Sequence, residues 1–344
     1  MATLLTRRTF LERAACAGAL LSIARPAAAA DGLGRRSLSD LSAVASAKAE
    51  GGWFVSLNGS LTRGVSGADK IRLAAATGYG GVDWDLGAAK TAGLDATRAL
   101  FAELKIKPTI INVPMARPLP LGGEQPAFQE ALKLLADDAA FTAGVGCNKM
   151  MFVLPASTTT PRDEQLKIVR DRLAAVAEVL HKSQIRLGLE FLGPLYFRQG
   201  RAGGPPATGF IWNMADAVAL AKDCGPNVGV ILDAWHWHHS GSTAADILAT
   251  DKSRIVHLHI SDAKETAPAD VRDNQRFMPG EGIIDLMGFF GALKKIGYAD
   301  GISPEPLGRV PAEMTPEEAS RLALQTTLAV MKKAGLSVAG ASGA

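Results

Sequence analysis

From Trp53 onward the chain repeats one unit: a short β-branched or apolar run gives way to a longer stretch whose apolar residues recur at helical spacing. The unit recurs eight times. Strands are predicted at Trp53–Leu57, Gly81–Trp84, Pro108–Val113, Lys149–Phe152, Arg186–Phe191, Val228–Leu232, Ile255–Ile260 and Gly301–Pro304. Helices are predicted at Asp95–Leu104, Phe128–Thr142, Asp163–Lys182, Met214–Asp223, Leu286–Ile296 and Pro316–Ala334. Such alternation belongs to α/β chains in which parallel strands are joined by crossover helices. Eight units in roughly 280 residues fit a closed (β/α)8 barrel better than an open sheet. An open, doubly wound sheet would carry a glycine-rich phosphate turn after an early strand. Here Gly78-Tyr79-Gly80-Gly81 precedes a strand, which makes it a helix-to-strand turn. No low-complexity linker divides the repeats, so residues 51–335 are read as one domain, with a polar lead-in over 31–50 and a flexible tail over 336–344.

Residues 1–30 read as a targeting segment. Thr6-Arg7-Arg8-Thr9-Phe10-Leu11 is followed by an apolar stretch to Ile23, then Arg25-Pro26 and a run of alanines to Ala30. Paired arginines before an apolar stretch and a small-residue cleavage context point to twin-arginine export, hence to a periplasmic or secreted protein. The uncharged run Ala14–Ala24 is too short to span a bilayer, and no membrane span is expected. Arg7, Arg8, Arg13 and Arg25 against Glu12 account for the whole formal charge of +3, so the remainder is near neutral and a nucleic-acid partner is not expected. Cys16 lies in the apolar run, and Cys147 and Cys224 alone cannot build a disulfide framework.

In a barrel of this kind the reactive groups sit at the C-terminal strand ends. The fifth strand carries Glu190 within an apolar run, where an unpaired carboxylate would cost several kcal/mol. The sixth ends in Asp233, with His236 three residues on. The seventh holds His257 and His259 on one face, because side chains alternate with period two. The eighth ends in Glu305. Four consecutive strands thus offer one ligand-type group each, an O3N set that suits Mn2+, Mg2+ or Co2+ better than a structural zinc site. Any one of these residues has an ordinary structural explanation; together they would need four separate partners.

Gly188-Leu-Glu190-Phe-Leu-Gly-Pro194, Leu232-Asp233-Ala-Trp-His236, His257-Leu-His259-Ile-Ser-Asp262, Arg276-Phe-Met-Pro-Gly-Glu-Gly282 and Ser303-Pro-Glu305-Pro306, in this order, resemble the xylose isomerase-like TIM-barrel family. That family holds sugar isomerases and epimerases, inosose dehydratases and apurinic endonucleases. The resemblance implies metal ligands at Glu190, Asp233, His259 and Glu305. It implies catalytic roles for Glu190, Glu305 and His236, substrate contact at Arg276, and His257 beside the substrate or behind the ligands. One divalent cation is implied, Mn2+ first, with Mg2+, Co2+ or Zn2+ as alternatives. One glutamate would remove the proton next to the carbonyl and the other return it, while the cation lowers the energy of the enediolate between them.

There are departures from the family pattern. Sugar 3-epimerases of this family often have Asn and Glu three and six residues after the fifth-strand Glu; Gly193 and Tyr196 stand there, so those substrate contacts do not carry over. The Gly/Pro-rich insert from Tyr196 to Pro206 is long enough to fold over the mouth, and Arg198 within it is a candidate ligand clamp. His238 and His239 read as loop residues, and Asp262 as a group that orients a neighbour or caps a turn. The function implied is isomerase or epimerase on a non-phosphorylated keto sugar or polyol ketone. The alternatives are a lyase or dehydratase on a 3-keto sugar or 3-keto-glycoside, and a non-catalytic sugar-binding protein. Expected partners are a small carbohydrate, the twin-arginine export machinery and further copies of the chain in a homo-oligomer.

Overall fold

Parallel strands covered by helices are buried on both faces, and near-continuous Val, Ile and Leu runs meet that demand here. The computed structural model describes residues 52–200 and 204–338. The expected export segment 1–30, the lead-in over 31–50, residues 201–203 of the insert and residues 339–344 lie outside the described residues. The barrel strands are β1 (Phe54–Leu57), β2 (Gly81–Asp83), β3 (Lys107–Asn112), β4 (Lys149–Val153), β5 (Arg186–Glu190), β6 (Val228–Asp233), β7 (Ile255–Ile260) and β8 (Gly301–Pro304). Each pairs in parallel with its sequence neighbour, and β8 pairs with β1 to close the barrel.

Among the described residues, one helix from each strand-to-strand connection and one after β8 cover the barrel: α1 (Gly67–Thr77), α2 (Leu94–Leu104, preceded by a shorter helix at Leu86–Ala92), α3 (Gln125–Val145), α4 (Arg162–Lys182), α5 (Met214–Cys224), α6 (Ala244–Leu248), α7 (Leu286–Lys295) and α8 (Pro316–Lys333). Two of them, α1 and α6, escape the sequence reading. Three consecutive alanines blur the apolar stripe of α1, and α6 is barely more than one turn. Their starts are nevertheless marked: Thr243 and Asp246 form a reciprocal capping box on α6, and Thr315 and Glu318 do the same on α8. The described part of the expected tail is held, because Leu336 is buried and Val338 bridges Trp53.

Two features of the fold position the site. Register across β5, β6, β7 and β8 pairs Glu190 with Ile231, Asp233 with His259 and His259 with Ser303, so Asp233 and Glu305 stand two residues beyond the partners of Glu190 and His259, the stagger of tilted barrel strands. Beyond β7 the chain turns back as a short antiparallel ladder, Asp262–Ala263 against Arg276–Phe277, which carries Arg276 over the mouth. Asp262 anchors that excursion. Its carboxylate accepts from the main-chain N–H groups of Ala263 and Ile284 at 2.9 Å and of Gly280 at 3.0 Å.

Candidate metal centre

Glu190, Asp233, His259 and Glu305 each place one ligand-type atom within 4.8 Å of the others. Nδ1 of His259 lies 3.0 Å from Oε1 of Glu190 and 3.5 Å from Oε2 of Glu305. Glu190, Asp233 and His259 are buried, and Glu305 is partly so. The four residues chosen from the strand ends are therefore the ones the barrel brings together.

A buried cation already answers part of this charge. Nη1 of Arg276 donates to Oδ2 of Asp233 at 2.7 Å and to Oε2 of Glu305 at 3.1 Å, while Nη2 donates to Oδ1 of Asp273 at 2.7 Å. The same Nη2 lies 3.2 Å from Nε2 of His236, and the Gly193 N–H points at Nδ1 of that ring from 3.4 Å. The guanidinium also stacks over Trp235, 4.6 Å from the ring centre.

The electrostatics follow. Burial alone would raise the Asp233 carboxyl, but Arg276, His236 and His259 outweigh it and hold the group well below the usual carboxylate range. Glu305 is likewise lowered, burial being overcome by His259 and Arg276. His259 goes the other way: burial pulls it down, but Glu305 and Glu190 raise it well above an ordinary histidine.

The donor set fits a divalent cation. Three carboxylates converge on one imidazole nitrogen, and Arg276 and His259 supply less positive charge than Glu190, Asp233, Glu305 and Asp273 supply negative. Surplus negative charge in a buried site needs a counter-ion. Oxygen-rich donors with one imidazole favour a borderline or hard ion over a thiolate-type zinc site.

Other predicted residues fall at different distances from this centre. His236 adjoins it, on the helical turn Ala234–His239 that Asp233 caps by accepting from the Trp235 N–H at 2.8 Å. His257 lies one strand layer below, fully buried, with Nε2 2.7 Å from Oγ of Ser303. Arg198 reaches neither: its guanidinium donates to the carbonyls of Gly193 and His239 and lies 3.6 Å from the Trp212 ring centre, which ties the insert to the Ala234–His239 turn. His238 and His239 end that turn, and burial, then His238, pushes His239 down to about 3. Two acids were missed. Asp273 holds the outer side of Arg276, and its role depends on a loop path that no local pattern announces. Asp83 ends β2, as an acid ending a strand could have signalled. Burial pushes its carboxyl up, and His259 with Ser56, Ser303 and Asn58 only partly offsets this.

A cavity of about 1230 Å³ opens on the β3–β5 side of the mouth, lined among others by Arg117, Leu192, Tyr196, Phe197 and Arg272. Phe197 meets the edge of His236, with ring centres 6.2 Å apart, so this wall borders the centre.

Gly193 has no room for a side chain. A Cβ there would sit 2.0 Å from the His236 carbonyl oxygen and 2.8 Å from the Ser240 nitrogen. Gly193→Ala should therefore push the helical turn outward, lowering stability by about 1–3 kcal/mol in thermal denaturation. An unchanged melting temperature would show that the turn yields without cost.

A closed (β/α)8 barrel with three carboxylates and an imidazole at its C-terminal mouth defines a class: barrels equipped to hold a divalent cation beside a substrate. The chain belongs to the xylose isomerase-like TIM barrel family, which matches residues 71–332. Among curated relatives it is 29% identical over 172 residues to an inosose isomerase of Bacillus subtilis, covering 50% of this chain and 58% of the relative. An inosose isomerase of Halalkalibacterium halodurans is 29% identical over 163 residues, 47% of this chain and 53% of that one. The chain thus spans little more than half the length of the curated relatives it matches. A xylose isomerase domain protein from Alicyclobacillus acidocaldarius superposes with TM-score 0.74 and 27% identity, covering 82% of this chain and 99% of that one. The IolI protein, solved with a bound zinc atom, superposes with TM-score 0.68 at 24% identity over 81% of this chain and 98% of its own, a likeness of fold alone.

Proposed function

We propose that the protein is a divalent-metal-dependent isomerase or epimerase of a non-phosphorylated keto sugar or related polyol ketone. The observation that carries this reading is the convergence of Glu190, Asp233, His259 and Glu305 within 4.8 Å at the barrel mouth. The names of the inosose isomerase relatives support a cyclic or open polyol ketone as substrate class. A cation bound by these four residues would supply Lewis-acid polarisation of a carbonyl and its neighbouring hydroxyl. Mn2+ is the preferred ion, with Mg2+, Co2+ or Zn2+ able to use the same donors.

The chain's own groups do the rest. One of Glu190 and Glu305 takes the proton next to the carbonyl and the other returns it, a division of labour open to two carboxylates in one site. Arg276 places its positive charge beside the oxygens that gain charge, and its ion pairs with Asp233, Glu305 and Asp273 fix where it lies. His236, with Nε2 on Arg276, steadies the same side. Buried Trp235 and half-buried Phe197 wall this side of the site against water.

Twin-arginine export belongs to the same proposal. Phosphorylated sugars are mostly cytoplasmic, so an exported enzyme meets free sugars, and export after folding lets the site load Mn2+ before it meets tighter-binding Cu2+ and Zn2+. Protein recovered from the periplasm is expected to carry Mn, Mg or Co. Copper in native protein would count against this.

The reaction is tested by incubating Mn2+-loaded protein with free ketoses, inososes and 3-keto-glycosides in deuterated water and following them by NMR. Deuterium at the carbon next to the carbonyl, without loss of a group, is the expected result, and chelation should abolish it. Loss of water or of an aglycone would instead make the protein a lyase. Sugar binding without exchange would make it a binding protein.

A further inference from the structure

Beneath the four mouth residues lies a second polar cluster that the proposed chemistry leaves unused. Asp83, at the end of β2, is its centre. Oδ1 accepts from the hydroxyls of Ser56 at 2.8 Å and Ser303 at 3.0 Å, and Oδ2 accepts from Nδ2 of Asn58 at 3.0 Å. A carboxylate offers about four acceptor positions, so one remains, on Oδ2.

The neighbours decide what fills it. A carboxylate oxygen of Asp83 and one ring nitrogen each of His257 and His259 lie within 4.8 Å of one another. Ser303 has a single proton and gives it to Asp83, so its oxygen accepts from Nε2–H of His257 at 2.7 Å. A neutral His257 therefore has only a lone pair on Nδ1, and nothing left to donate. In His259, Nδ1 faces Glu190 and Glu305, while Nε2 is buried and has no partner. The cluster thus holds one open acceptor position on the Asp83 carboxylate, a lone pair on Nδ1 of His257 and an open Nε2 on His259; of the two acceptors the carboxylate carries the negative charge and is the stronger partner for an imidazole N–H.

We infer that Asp83 is a positioning residue for the metal centre: when Nδ1 of His259 gives up its proton to Glu190 or Glu305 or to solvent and binds a cation, the carboxylate of Asp83 is the acceptor toward which the remaining N–H, on Nε2, is directed. Ser56, Ser303 and Asn58, fixed on β1, β8 and the turn after β1, hold the carboxylate in place for this. Carboxylates behind a ligating histidine set its tautomer and ring orientation and raise its basicity, and their loss typically weakens metal binding about 10–100-fold. The inference rests on the cation site of the proposed function.

The test is Zn2+ binding by the full chain, measured by calorimetry for the parent protein, Asp83→Asn and Ser303→Ala, together with 15N NMR of the histidine rings in the Zn2+-loaded parent. The expected results are one Zn2+ per chain, an affinity about 10–100-fold weaker in Asp83→Asn with a smaller loss in Ser303→Ala, and a proton on Nε2 of His259. Equal affinity in a folded Asp83→Asn protein would overturn the inference and reduce Asp83 to a structural group. A proton on Nδ1 of His259 would overturn it too, and that readout needs no variant to fold. A second Zn2+ per chain that vanishes in Asp83→Asn would overturn it by making Asp83 a ligand. A parent chain that takes up no Zn2+, Mn2+ or Co2+ would overturn both the inference and the proposed function, whereas the other failures leave the proposed function standing.

Discussion

Glu190→Gln is expected to lower solvent-proton exchange by about 10²–10⁴-fold at saturating Mn2+, the range over which positioned acids and bases contribute. The amide keeps the shape of the side chain and can still meet Nδ1 of His259, 3.0 Å away, so the barrel should fold unchanged. What it loses is a basic oxygen next to the substrate carbon. The loss of one negative charge also weakens cation binding, which is why the comparison belongs at saturating metal. Glu305→Gln should show a similar fall. Deuterium incorporation followed by NMR on the ketose that proves active provides the measurement. Exchange close to the parent rate in either variant would remove that glutamate from the chemistry and leave it a ligand only.

Arg276→Met should have the largest effect on stability. The guanidinium is buried, and it faces Asp233 at 2.7 Å, Glu305 at 3.1 Å and Asp273 at 2.7 Å. Removing one partner of a buried ion pair strands the others, at a cost of about 3–5 kcal/mol. For a domain of this size that corresponds to a melting temperature lower by roughly 10 °C. Added Mn2+ should restore part of the loss, because a cation bound by Asp233 and Glu305 replaces some of the missing positive charge. The pH dependence has a definite sign. Asp233 is held below its unfolded value, so its contribution is present above about pH 4 and is lost as the pH falls through the folded value. The gap between parent and variant should therefore narrow below about pH 4. Differential scanning calorimetry across pH, with and without Mn2+, checks both points; a drop of under 2 °C would show that water reaches these carboxylates and pairs them without the arginine.

The sequence patterns reveal the barrel because each strand is a contiguous apolar run and each long helix repeats its apolar face, both of which are local signals. The same holds for Glu190, Asp233, His259 and Glu305: a strand end fixes height, and period-two alternation fixes the inward face. What stays hidden depends on the path of loops. Arg276 reaches the mouth because residues 262–263 pair antiparallel with 276–277. Asp273 is placed only through that same return, so its pairing with Arg276 has no sequence signature. Arg198 shows the converse. Its place in a Gly/Pro-rich insert suggests a ligand clamp, but the carbonyls of Gly193 and His239 occupy its guanidinium. Main-chain carbonyls carry no residue identity, so no motif marks them as competitors. Asp83 is an intermediate case, since its strand-end position is legible and its nearness to His257 and His259 requires the closed barrel.

The most direct test of the account is anomalous diffraction from crystals of the protein loaded with Mn2+ or Co2+. One ion per chain is expected, bound by carboxylate oxygens of Glu190, Asp233 and Glu305 and by Nδ1 of His259. An ion held elsewhere, or none at millimolar metal with these four side chains ordered, would contradict it.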